Sequence, residues 1–134
     1  MTSKIQLVAR IILALVYFVF GLMGLALAAG LMKMPDQPMP DAAKAFMAGI
    51  MATGYFFPLL KLTEVIFGFL LFVPRFAPLA LVVLAPVTLN IVLYHVFLTP
   101  SAGEMVLPLV MGLAQVLAMS AYWKLYQPLF SGRK

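Results

Sequence analysis

Apolar residues run through this chain in four long stretches, separated by short polar or proline-rich breaks. Residues 7–30, 55–73, 76–98 and 104–123 are each close to the ~20 apolar residues that a helix needs to cross a bilayer. The pattern predicts an all-α fold, an integral membrane four-helix bundle, in one transmembrane domain covering residues 1–134. Between the first two spans, residues 31–54 read differently. KMPDQPMPD places three prolines within six residues and adds two aspartates, which argues for a loop. The following segment to Thr53 is mildly amphipathic and too short to cross, so it is expected to form a short interfacial helix. A signal peptide is the rival reading of the first stretch, but its apolar run is longer than the usual signal core.

The departures from apolarity are informative. Lys61 and Glu64 sit inside the second span, three residues apart, and so share one helix face. A charge facing lipid costs about 2.5 kcal/mol or more at mid-membrane. The pair is therefore expected to face a protein interior or a wet cavity, either as a ligand or proton site or as a buried ion pair that fixes helix register. Glu64 is the best candidate for a catalytic or proton-exchanging residue. At 1.5 Å per residue, Glu64 lies roughly 13 Å below the loop end of its helix, Asn90 roughly 12 Å and Gln115 roughly 17 Å below the same surface. A polar layer in the outer half of the bundle follows. On the third helix Asn90 and Tyr94 share one face, while Thr88, Ile91 and His95 share another; Asn90 and Tyr94 are expected to point inward. Asn90 and Gln115 also suit interhelical hydrogen bonds. On the first helix Ala14, Tyr17, Gly21, Gly24 and Ala28 form a small-residue stripe suited to close packing, with Arg10 continuing the line and Tyr17 able to reach a ligand. Pro86 is expected to kink the third span and free the Val82 carbonyl.

Composition narrows the function classes. The 134 residues are 65% hydrophobic and 10% charged, against about 25% charged in soluble domains. The net charge of +5 forms no basic stripe with interleaved aromatics, so nucleic acid is not an expected partner. Lys4, Arg10, Arg75, Lys124, Arg133 and Lys134 fall on one side of the predicted bundle, against Lys33 and Lys44 on the other. The positive-inside rule puts both termini in the cytoplasm. The chain has no cysteine, which excludes disulfides, thiol relays and thiolate metal sites. Its one histidine excludes a bis-histidine haem within the chain, and no metal site is expected. Any redox role needs a bound organic cofactor or a partner subunit.

The chain resembles the DoxX-like family of small four-helix bacterial membrane proteins. The residues that carry the likeness are Arg10 and Gly21, then TGYFFPLLKLTEVIFGFLLFVPRFAPLALVVLAPVTLNIVLYHVFL. Within the latter, Thr63-Glu64-Val65 precedes Gly68, the Pro74-Arg75 turn follows, and Asn90 and His95 share the next helix. The resemblance implies a bacterial inner-membrane bundle with a loose tie to redox chemistry, since the namesake belongs to a thiosulfate:quinone oxidoreductase. The expected function is a redox-associated subunit, at most part of an oxidoreductase. It would bind a quinone or similar lipid-soluble ligand in a pocket formed by Lys61, Glu64, Asn90, Tyr94, Gln115 and Tyr17. The alternatives are a non-enzymatic assembly protein and a small transporter or proton pathway. A partner subunit or a second copy of the chain is expected beside the lipid bilayer.

Overall fold

The structure is a computed structural model and describes residues 2–132; the basic end at Arg133 and Lys134 lies outside the described residues. Six helices follow in order: α1 (Lys4–Ala28), α2 (Asp41–Ala52), α3 (Phe56–Leu70), α4 (Ala77–Phe97), α5 (Ala102–Ser120) and α6 (Trp123–Phe130). The chain is an all-α, multi-pass membrane-spanning bundle. Helices α1, α4 and α5 are each long and apolar enough to cross a membrane, and α2 and α3 form a bent pair between the first two of these spans, turning by 90°. Helix α3 takes the fourth position in the bundle and α2 is the short helix leading into it. With 15 residues, α3 is only about 22 Å long. It is shorter than the expected span over 55–73, because the chain turns directly after Leu70 through Val73 and Phe76.

Local chemistry sets these boundaries. Ser3 opens α1 with a capping box, its hydroxyl accepting from the Gln6 amide while the Gln6 side chain accepts from the Ser3 amide. Gly30, at φ +76°, closes it. There the Leu31 amide donates to Ala26 and the Gly30 amide to Leu27, the paired arrangement of a left-handed glycine stop. At the α2–α3 bend Thr53 Oγ1 donates to the Ile50 carbonyl and accepts from the Phe56 amide, while Gly54 takes φ +77°. Helix α4 continues through Pro86 as a single element.

The helices alternate in direction. Gly24 lies against Lys61, Gly21 against Val65, and Gly68 against Tyr17 and Phe18, so α1 and α3 run antiparallel. Gln6 reaches Ser120 while Val16 and Phe20 share a cavity wall with Gly103 and Leu107, and Gln115 reaches Leu81 while Gly112 faces Val92, so α5 runs antiparallel to both α1 and α4. One end of the bundle therefore holds the long loop and α2, and the other holds α6 and the start of α1. Helix α1 packs most extensively on α3 and then on α5, while α3 and α4 meet only sparsely. The core is built from Leu13, Ala14, Leu71, Leu81, Leu84 and Ala118. Outward positions such as Phe69, Leu79, Leu89, Leu113 and Val116 are also apolar, as a lipid surround requires.

Candidate functional site

The α1–α3 crossing shapes the site. Gly21 and Gly68 bring two backbones together: a Cβ on Gly21 would stand 2.9 Å from the Val65 amide nitrogen, and one on Gly68 would stand 2.8 Å from that of Phe18. One turn further toward the loop end, Gly24 leaves a notch that the stem of Lys61 fills; a Cβ there would fall 2.2 Å from Lys61 Cδ. The lysine stem is thus laid along α1, and its ammonium turns back to Glu64. Lys61 Nζ donates to Glu64 Oε2 at 3.0 Å. Glu64 is 3% exposed and the Lys61 side chain 19%. The Phe57 ring lies 5.6 Å from the same ammonium, near enough for cation–π attraction. Among the described residues this is the one ion pair. It faces helices rather than lipid, as the cost of exposing either charge demands.

Two cavities share the pair as a wall. The first, of about 440 Å³, lies among α1, α3, α4 and α5, with Tyr17, Lys61, Glu64, His95 and Glu104 on its lining. The second, of about 520 Å³, occupies the sparse α3–α4 seam beneath α2 and is lined by Phe46, Phe57, Lys61, Glu64, Asn90 and Tyr94, among others. His95 lies on both linings. Its Nδ1 is 2.8 Å from the Ile91 carbonyl. A carbonyl only accepts, so Nδ1 carries the proton and Nε2 of the neutral ring is left as an acceptor. The Tyr94 ring meets that of Phe46 at a tilt, 5.4 Å between centroids, and its hydroxyl touches Met39 Sδ.

The predicted residues separate into two groups. Lys61, Glu64, Asn90 and Tyr94 meet around the second cavity. Tyr17 and Gln115 belong instead to a buried hydrogen-bond chain through Thr88. The Thr88 hydroxyl donates to Gln115 Oε1 at 2.9 Å, so it accepts from the Tyr17 hydroxyl, and Gln115 Nε2 donates to the Leu81 carbonyl at 2.8 Å. Each link points the same way, which lets successive bonds polarise one another. One expectation needs correction. Thr88 is buried and Asn90 exposed, so the inward face of α4 is the one carrying Thr88, Ile91 and His95; Asn90 reaches the site from its rim. The available signal was the stripe Ala77, Leu81, Leu84, Thr88, Ile91, His95, which keeps helical spacing along the whole of α4. The Leu81 carbonyl, one turn before Pro86, accepts from Gln115 Nε2.

At the opposite end, Arg10 is 7% exposed and its Nη1 donates to the Tyr122 hydroxyl at 2.8 Å. Among the described residues no cluster of three or more histidine, aspartate or glutamate side chains is placed to hold a metal. No family model, no curated protein and no solved structure matches this chain.

Proposed function

We propose that this chain is a DoxX-like, redox-associated inner-membrane subunit that binds a quinone or a similar lipid-soluble carbonyl compound beside Lys61 and Glu64. One observation carries the reading: the part-buried Lys61–Glu64 pair, its carboxylate only 3% exposed, forms the common wall of two cavities of about 440 and 520 Å³ between the helices. Volumes of this size suit a small organic ligand. Lys61 and Tyr94 offer donors to a carbonyl oxygen, and Asn90 offers an amide from the rim. Glu64 is the group that exchanges protons as the ligand is reduced or oxidised. The apolar aromatic lining of the larger cavity suits a ring and the start of an isoprenoid tail. Tyr17 and Gln115 act behind this layer, holding α1, α4 and α5 in register. The excess of lysine and arginine at the termini end supports a cytoplasmic position for both termini.

The test is a quinone titration on purified protein, following ligand fluorescence or absorbance, with Glu64→Gln and Lys61→Met in parallel. The reading expects weaker binding in both variants. Equal affinity in all three proteins removes it. A proton pathway through the bundle is less well supported, because the chain Tyr17–Thr88–Gln115 ends on the Leu81 carbonyl, a group with no proton to pass on.

A further inference from the structure

The four acidic side chains of the sequence are Asp36, Asp41, Glu64 and Glu104. They lie at the loop end of the bundle or near its middle: Asp36 in the loop, Asp41 at the start of α2, Glu64 just past the midpoint of α3 and Glu104 in the first turn of α5. Arg10 is buried toward the other end, two turns into α1. The register of Gly24 against Lys61, Gly21 against Val65 and Gly68 against Tyr17–Phe18 carries Arg10 toward the end of the bundle at which α3 stops and the chain turns into α4. No side-chain carboxylate is within reach there. Among the described residues its hydrogen-bond partner is the Tyr122 hydroxyl, and its Nε is buried with none. A guanidinium has five N–H donors. Enclosing that charge without an anion is among the costliest arrangements available to a protein in lipid.

From this imbalance we infer that Arg10 and Tyr122 form an anion site for a phosphate group at the membrane surface on the termini side. The guanidinium supplies charge and paired donors that match phosphate oxygens. Tyr122, whose oxygen already accepts from Arg10, has no acceptor for its own O–H among the described residues, so that proton can be donated to an anion. Arg75 and Lys124 are exposed at the same end and raise the local concentration of anions. Arg10 begins two turns inside α1, about 9 Å from the Lys4 end, a depth from which an arginine head reaches the headgroup layer. The same phosphate chemistry is offered by an anionic phospholipid and by free inorganic phosphate, and this inference does not depend on the cavity ligand.

The experiment uses the full chain, delipidated in an uncharged, phosphate-free detergent. Thermal unfolding and native mass spectrometry are followed with phosphatidylglycerol, with inorganic phosphate, and with an uncharged glycolipid. A midpoint raised by several degrees with phosphatidylglycerol alone, together with retained lipid, supports a lipid headgroup. A rise with inorganic phosphate as well supports a site open to the free ion. In both cases Arg10→Gln removes the increment, whereas the double variant Arg75→Gln, Lys124→Gln keeps most of it. Should Arg10→Gln fail to fold, Tyr122→Phe keeps the charge and is expected to lower affinity several-fold. No rise with either phosphate compound, a rise equalled by the glycolipid, or an increment unchanged in Arg10→Gln or Tyr122→Phe overturns the site.

Discussion

Replacing Gly68 by alanine tests the α1–α3 crossing directly. The new methyl would lie 2.8 Å from the Phe18 amide nitrogen and 2.9 Å from Tyr17 Cβ. Neither atom can swing aside, since one is backbone and the other is fixed to it. Bringing these contacts to an ordinary 3.4 Å moves the two helices apart locally by roughly 0.5 Å, a gap that already forfeits a quarter or more of the dispersion well for each pair across the seam. Overpacking of this kind costs about 1–3 kcal/mol. Against it stands the helix preference for alanine over glycine, roughly 0.8–1 kcal/mol. The matched control is Gly112→Ala on α5, whose methyl would meet only the Val92 side chain at 3.4 Å. It gains the same helix preference with little crowding. The difference between the two variants is therefore the packing cost alone. Reversible unfolding in mixed detergent–SDS micelles, monitored by helix circular dichroism, reads it out. Gly112→Ala is expected at or above the parent and Gly68→Ala about 1–3 kcal/mol below Gly112→Ala. Equal stability of the two variants would refute the close crossing.

Gly24→Ala strikes the Lys61 stem rather than backbone, so it is expected to leave helix content intact while turning the ammonium away from Glu64; unchanged ligand affinity in that variant, measured by the same quinone titration, would count against the lysine's placement. Thr88→Val keeps shape but strands the Tyr17 hydroxyl and Gln115 Oε1. A stability loss of about 1–3 kcal/mol is expected, and Tyr17→Phe added to it should cost less than Tyr17→Phe alone. Additive losses would show that the chain is not coupled. At the termini end the Tyr126 hydroxyl donates to the Pro78 carbonyl at 2.8 Å, and burial pushes it up to about 12. A phenol held neutral in the fold stabilises fully below its unfolded value near 10 and loses that contribution as pH rises toward 12. The melting temperature should fall more steeply over this window in the parent than in Tyr126→Phe; parallel curves would dismiss the contribution.

The class of fold is legible because lipid imposes it. Long apolar stretches permit little except spanning helices, and the proline-rich segment before Asp41 had no helical alternative. The inward turn of Lys61 and Glu64 was readable for the same reason. The choice of face on α4 was not. Its residues are apolar nearly all round, so hydrophobicity cannot separate a lipid-facing side from a core-facing side, and Asn90 drew attention by polarity while Thr88 was the buried group. Depth arithmetic placed Gln115 near the site, but its partners Thr88 and Leu81 depend on helix rotation, which rise per residue does not give. The lysine stem in the Gly24 notch is likewise a tertiary fact: in sequence the glycine is one of several on a packing stripe.

Helix α2 is held to the rest of the molecule by few contacts, chiefly Phe46 on Tyr94, with the preceding loop adding Met39 on the same ring's hydroxyl, between glycines at positions 30 and 54. It is therefore the segment whose amides should exchange with solvent through the cheapest sub-global opening, well before the α1–α3 seam yields. Because α2 also roofs the larger cavity, the residence time of any guest there is tied to that excursion, and a cross-link from α2 to α4 would lengthen it without altering a single contact to the guest.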